Sequence, residues 1–139
     1  MRDALIVSTA RTPLTKSYRG TFNNTTAPTM AGWAIEEAVK RSGVDPEKVD
    51  DVIMGAALQQ GTQHCNVARN SALAAGLPVT VSGMTLDRQC SSGMMAIATA
   101  AKQIISDGMD VAVGGGLDSI SLVQTEKMNL DRWVDKKLI

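Results

Sequence analysis

The residue best suited to covalent chemistry in this sequence is a cysteine between a strand-like run and a helix-like run. Cys90 lies in the stretch Leu86-Asp87-Arg88-Gln89-Cys90-Ser91-Ser92-Gly93-Met94, where an apolar run ends and a nearly uncharged one begins. The first turn of a helix offers free backbone N–H groups and the positive end of the helix dipole, which favour a thiolate over a thiol. The same N–H groups can hold an oxyanion once the sulfur carries an acyl group. The sequence thus predicts either a nucleophile or an inert buried cysteine at position 90.

The other candidate groups carry weaker signals. His64, the only histidine, precedes Cys65 in a polar loop, where a solvated side chain is a simpler interpretation than a general base. Adjacent residues do not make a tetrahedral ligand set, so no metal site is predicted. The run 114–116 is three glycines without the spacing of a dinucleotide-binding loop, which favours close packing. Arg11 and Arg69 are expected to anchor loops through backbone carbonyls.

The elements that must position Cys90 are visible as an alternation of short apolar runs and helical patterns. Strands are predicted at 4–7, 52–57, 79–86 and 111–115, and helices at about 28–42, 66–75 and 91–107. This order predicts an α/β fold with a mainly parallel sheet and helices on both faces. Only Lys102 is charged between positions 93 and 105, so the third helix is expected to be buried on most sides, between two sheets.

The composition excludes several function classes. The chain has 139 residues, 44% of them hydrophobic, with 14 basic and 14 acidic side chains and zero net charge. No basic face is available for nucleic acid, and no apolar run is long enough to cross a membrane. Two cysteines make no disulfide framework, which favours a reducing compartment, and the start of the chain lacks a signal-peptide pattern. We therefore expect a cytoplasmic protein.

Several motifs, in order along the chain, resemble those of one enzyme family. The stretch from Asp87 to Ile97 resembles the reactive-cysteine motif of thiolases, the acetyl-CoA acetyltransferase and 3-ketoacyl-CoA thiolase family. The other matching stretches are Arg11-Thr12-Pro13, Arg19-Gly20-Thr21-Phe22, Asn66-Val67-Ala68-Arg69, Ala75-Gly76-Leu77-Pro78 and Gly115-Gly116-Leu117-Asp118-Ser119-Ile120-Ser121. Asp118 stands where the family usually has Glu, and Asp87 where many members have Asn. The resemblance covers nearly the whole chain.

The resemblance implies a thiolase-like layered fold and an acyltransferase activity. Cys90 would take an acyl group from acyl-CoA as a thioester, for condensation with acetyl-CoA or, in reverse, for thiolysis of a 3-ketoacyl-CoA. CoA thioesters would be substrates, no cofactor would be required, and no residue is assigned to CoA binding. Direct binding of CoA by Arg11 and Arg69 is the less favoured alternative to their role as loop anchors. Family members are homodimers or homotetramers, with the segment 79–86 as the natural interface element. The resemblance places an N-terminal α/β domain at 1–117 and the start of a loop domain at 118–139.

Some parts of the family's machinery do not occur in this sequence. The Gly-His-Pro histidine, the Asn-Glu-Ala-Phe-type segment and the second cysteine of Cys-x-Gly-Gly are absent. The chain therefore resembles the N-terminal part of a thiolase, and we expect it to be inactive in turnover by itself. Two alternatives stay open: a non-catalytic remnant that keeps the fold, and a redox-sensing thiol protein in which Cys65 resolves an oxidised Cys90.

Overall fold

A three-stranded parallel sheet organises the protein. The computed structural model describes residues 2–126. The strands are β1 (Asp51–Gly55), β2 (Ser82–Leu86) and β3 (Ala112–Gly116), and the helices are α1 (Ala27–Ser42), α2 (Val67–Ala74), α3 (Ser92–Lys102) and α4 (Ile120–Val123). Short 3-10 turns lie at Pro46–Lys48 and Gly61–Gln63, and a π-helical turn at Gln103–Asp107 follows α3. The predicted alternation of strands and helices is confirmed from position 27 onward.

The strand order is β2-β1-β3, with both pairings parallel. All five residues of the central strand β1 are buried. A strand covered on both faces reads as a continuous apolar run, which is why it was visible in the sequence. The register aligns Gly55 with Leu86 on one side and with Gly116 on the other, so the three strands end at the same edge.

Helices cover both faces of this sheet, as predicted. On one face, α1 and α2 pack over Val52 and Met54 with a core that includes Ile35 and Ala72. On the other face, Ile53 packs against Ala96 and Ala100 of α3. Neighbouring residues of a strand point to opposite faces, so β1 joins the two cores.

Glycine and aspartate residues end the elements where the sequence predicted turns. Gly43 closes α1 with φ +70°, a backbone conformation that glycine adopts without a steric penalty. The side chain of Asp45 accepts a hydrogen bond from Glu47 N at 3.0 Å and opens the turn before β1. The helical spacing of apolar residues in 66–75 predicts that Leu73 faces inward from α2, but this prediction is wrong because Leu73 is 45% exposed.

The predicted strand at 4–7 is wrong. Residues 4–7 are outside any helix or strand, and Leu5 and Ile6 are each 78% exposed. The segment is held at its ends instead, by an ion pair of Arg2 with Asp110 and by Ser8 Oγ, which donates to Ala38 O at 2.6 Å. Within residues 2–126 no strand lies beside it, and a strand requires a hydrogen-bonded neighbour.

The third helix was expected to be covered on most sides, and within the described chain it is covered on one. Its buried residues are Ser92, Ala96 and Ala100. Met94 is 76% exposed, and Ile97 on the same helix is largely exposed as well. A helix that is apolar on all sides is expected to be buried, but its sequence does not show which element covers it.

Two further predictions concern segments that the structure describes only in part. Residues 127–139, which are most of the segment 118–139 predicted as the start of a loop domain, lie outside the described residues, so the domain division at 117/118 stays a prediction. Across residues 2–126 no helix is both long and apolar enough to span a membrane.

Candidate active site

The carboxyl ends of the three strands bring together residues that are far apart in sequence. Asp87 and Cys90 follow the end of β2, Ala57 follows β1, and Asp118 follows β3. In open parallel sheets this edge is where ligands are usually bound. We therefore place the candidate site at this edge of the sheet, where the loops that follow the three strands begin.

The turn that carries Cys90 is tied together by its own side chains. Asp87 Oδ1 accepts a hydrogen bond from Gln89 N at 2.7 Å, and Ser91 Oγ donates to Arg88 O at 2.8 Å. Gln89 has φ +50°, in the left-handed region that non-glycine residues seldom occupy. Such a conformation persists only where surrounding contacts hold it, and it occurs often next to functional groups.

Cys90 lies two residues before the first residue of α3, and its side chain is an exposed free thiol. The alternative prediction that Cys90 is buried is wrong, and the reactivity of its thiol stays a prediction. Within residues 2–126 the backbone N–H groups of Cys90 and Gly93 have no hydrogen-bond partner. The predicted place of Cys90, between a strand and the start of a helix, is confirmed, and its role as a nucleophile stays a prediction.

Glycines let the N-terminus of α3 approach the sheet closely. A Cβ on Gly55 would lie 2.6 Å from Gly93 N, and one on Gly116 would lie 2.7 Å from the Cα of Gly93. A Cβ on Gly114 would lie 2.8 Å from the Cα of Ile97. The prediction that the glycine run 114–116 serves close packing is confirmed, because side chains at 114 and 116 would push α3 away from β3 and one at 115 would meet Met54 on the other face.

A network around Asp118 joins two loops at the same edge, and the sequence analysis missed its centre, Gln63. The Gln63 side chain is 1% exposed and donates through Nε2 to Leu58 O at 2.8 Å and to Asp118 Oδ1 at 3.1 Å. Its Oε1 accepts from Ser119 N. The same Asp118 oxygen accepts from Ala57 N at 3.2 Å. A glutamine in a polar loop carries no signal in the sequence that it will be buried.

Partial burial raises the pKa of Asp118 above its ordinary value of 3.8. Hydrogen bonds from Gln63 and Ala57 favour the carboxylate and oppose this rise, whereas the nearby charge of Asp87 adds to it. The charge of Asp87 thus reaches Asp118 across the ends of β2 and β3. The candidate site holds a carboxyl group whose charge is disfavoured by its surroundings.

His64 does not serve Cys90 in this arrangement. Its Nδ1 contacts Cys65 Sγ, and both side chains are exposed. Cys65 and Asn66 have φ of +54° and +58°, and Asn66 Oδ1 caps α2 by accepting from Arg69 N at 3.3 Å. The structure therefore groups His64 with the start of α2 and leaves Cys90 without a histidine partner in residues 2–126.

The two arginines singled out in the sequence behave differently. Arg69 donates to Val81 O and, at 2.8 Å, to Val79 O, which confirms its predicted role as an anchor of the segment before β2. Arg11 instead lines a cleft of about 400 Å³ between the segment 10–17, α1 and the end of β3. Asp118 lines this cleft and Cys90 does not. Residues 2–126 contain no group of three metal-binding side chains.

Comparison with known proteins agrees with this geometry. The family model described as "Thiolase, N-terminal domain" matches residues 4–136. The chain belongs to the thiolase family. Its match to the N-terminal domain accounts for the motifs from Arg11 to Ser121 and for the α/β layers that position Cys90.

Relatives within the thiolase family are about equally similar. The chain is 40% identical over 123 residues to the 3-ketoacyl-CoA thiolase of Bacillus subtilis (strain 168), covering 88% of this chain and 32% of that protein. It is 40% identical over 121 residues to the acetyl-CoA acetyltransferase of Cupriavidus necator, covering 87% and 30%. The crystal structure of the Bacillus anthracis acetyl-CoA acetyltransferase superposes with a TM-score of 0.82 at 39% identity, covering 97% of this chain and 34% of that one. The chain thus spans about a third of the length of these thiolases.

Proposed function

We propose that this chain carries the nucleophile of an acyl-CoA acyltransferase. The observation that carries the proposal is the position of Cys90, an exposed free thiol in the turn between β2 and α3. Relatives named 3-ketoacyl-CoA thiolase and acetyl-CoA acetyltransferase support the same chemistry. The substrates are CoA thioesters such as acyl-CoA, together with free CoA in the reverse direction, and no cofactor is required.

The first step is acyl transfer to sulfur. The Cys90 thiolate attacks the thioester carbonyl, the new C–S bond forms, and the carbonyl oxygen becomes an oxyanion that the Cys90 N–H can stabilise. The tetrahedral intermediate collapses with cleavage of the bond to the CoA sulfur, which leaves as a thiolate. The products are an acyl-Cys90 thioester and CoA. In condensation, the α-carbon of acetyl-CoA loses a proton to a general base and attacks the acyl-Cys90 carbonyl. The C–C bond forms, the bond to the Cys90 sulfur breaks, and the Cys90 thiolate is regenerated. The reverse sequence cleaves a 3-ketoacyl-CoA.

We propose that the chain by itself acylates without completing turnover. Its only histidine contacts Cys65, so no base stands at Cys90 in the described residues. General base assistance increases the rate about 10²–10⁴-fold. Without a base we expect Cys90 to be acylated slowly and the full catalytic cycle not to be completed. The intact protein would act as a homodimer or homotetramer in the cytoplasm, with the edge strand β2 and the residues before it at the subunit interface.

Intact-mass and peptide mass spectrometry after incubation with acetyl-CoA test the proposal. We expect one acetyl group, on the peptide that contains Cys90, and none on the peptide that contains Cys65. The Cys90→Ser variant should lose this acetylation and the Cys65→Ser variant should keep it. Acetylation that survives in Cys90→Ser would place the nucleophile elsewhere. A Cys65–Cys90 disulfide formed under peroxide, without any acetylation, would favour the redox-sensing alternative.

A further inference from the structure

The hydroxyl of Ser92 points away from the helix that Ser92 begins. Ser92 is 2% exposed, and its Oγ donates to Gln89 O at 2.6 Å and accepts from Arg88 N at 2.8 Å. Both partners belong to the turn immediately before Cys90. The buried hydroxyl of Ser92 therefore makes two hydrogen bonds to the turn before Cys90, one with its hydrogen and one with a lone pair.

This use of serine departs from helix capping. Serine at a helix start ordinarily accepts a hydrogen bond from a backbone N–H of the first turn, which removes that donor from use. Ser91, the N-cap residue of α3, makes no such bond and donates to Arg88 O instead. Both serine hydroxyls thus bind the preceding turn, and the N–H groups of Cys90 and Gly93 remain unpaired within residues 2–126.

The two serines differ in how firmly they hold the turn. Ser91 is exposed and makes one bond, so water can replace its hydroxyl. Ser92 is buried and pairs both the N–H of Arg88 and the carbonyl of Gln89, the residue with φ +50°. Removing that hydroxyl leaves the N–H of Arg88 without its partner, whereas Gln89 O keeps a hydrogen bond from Ser92 N at 3.0 Å. Because the Ser92 hydroxyl is buried and these two bonds are partly buried, its loss costs more than the loss of the exposed Ser91 hydroxyl.

We infer that Ser92 is a positioning residue for Cys90, holding the 87–91 turn so that the sulfur and the unpaired N–H groups face the same space. The inference rests on the proposed function, in which both act on one thioester. Ser92 itself touches no reacting atom in this arrangement. Its effect passes through the backbone of Arg88 and Gln89.

The test measures the rates at which iodoacetamide alkylates Cys90 and Cys65 in the same sample, read by peptide mass spectrometry. Cys65 serves as an internal reference because it lies in the loop before α2. In Ser92→Ala we expect the Cys90 to Cys65 rate ratio to fall about threefold to tenfold, the range that corresponds to one lost hydrogen bond. Ser91→Ala should leave the ratio unchanged, and Ser92→Thr, which keeps the hydroxyl, should restore it.

An unchanged ratio in Ser92→Ala, or an equal fall in Ser91→Ala, would overturn the inference. Circular dichroism melting of each variant separates a local effect from general unfolding, because unfolding moves both cysteines toward equal rates. The experiment uses no acyl-CoA. Failure of the proposed function would appear instead as absent acetylation of Cys90 in the unsubstituted protein, whatever the alkylation ratio shows.

Discussion

Gly55, the last residue of β1, lies directly against the backbone of Ser92, the first residue of α3. A methyl group on Gly55 would lie 2.6 Å from Gly93 N and closer still to the Ser92 carbonyl group. The start of α3, and with it the turn of Cys90, is therefore held by backbone contact with the central strand. Rigid elements of this kind place a reactive group more accurately than a loop alone can.

Substituting Gly55 with alanine should destabilise the protein and shift the α3 N-terminus. The added methyl group meets backbone atoms, which cannot rotate away, and overpacking of this kind costs about 1–3 kcal/mol. Urea denaturation measures the loss in the free energy of unfolding. Gly115→Ala is the matched control, because its methyl group would meet the flexible Sδ of Met54 at 3.2 Å. Equal free energies of unfolding for the two variants would contradict the close approach of α3 to β1.

Cys90 should react with iodoacetamide near neutral pH faster than Cys65. Cys90 is an exposed thiol in the turn immediately before α3, whereas Cys65 has His64 as its contact. Mass spectrometry of both peptides during a time course gives the two rates. His64→Gln controls for the contribution of the histidine, and it should slow Cys65 without affecting Cys90. Equal or reversed rates in the unsubstituted protein would contradict an activated Cys90.

Asp118→Asn should stabilise the protein at neutral pH. The asparagine Oδ1 can accept the same two hydrogen bonds, from Ala57 N and Gln63 Nε2, without placing a charge in a partly buried position. Because the pKa of Asp118 is raised in the folded state, its contribution to stability is fully present below about 3.8 and is lost as pH rises through the raised pKa.

Denaturation of both proteins across a pH series measures this effect. The stability advantage of Asp118→Asn should be small in acid and should grow as pH rises past 3.8. Asp107→Asn, an exposed carboxylate outside the network, supplies the background. An advantage that shrinks with rising pH would show that the carboxylate, not the acid, is the favoured form at this position.

The exposed apolar side of α3 should make this chain associate with a second copy of itself. Met94 and Ile97 are largely exposed on a helix with few polar side chains, and such patches mark association surfaces. Size-exclusion chromatography with light scattering should show dimers or larger species. The Met94→Gln/Ile97→Gln double variant should shift the chain toward monomer, and Leu14→Gln, an exposed leucine outside α3, should not. A clean, stable monomer of the unsubstituted chain would contradict this expectation.

Local pattern was sufficient for most of the α/β order and for the place of Cys90 within it. Strand β1 appears as a continuous apolar run because both of its faces are covered, and Gly43 marks the end of α1 because few other residues accept its backbone conformation. Cys90 follows the run that forms β2 and precedes the one that forms α3. Each of these features depends on neighbours within a few positions, which a sequence displays directly.

Tertiary structure alone decided the features that join distant residues. Residues 4–7 have the composition of a strand and yet pair with no strand within residues 2–126, because strand formation depends on a neighbour and not on composition. Gln63 meets Asp118 across 55 positions. The direction of the Ser92 hydroxyl depends on the path of the preceding turn. Hydrogen bonds of this kind are set by where the packed sheet brings the chain back, and no local periodicity encodes that meeting.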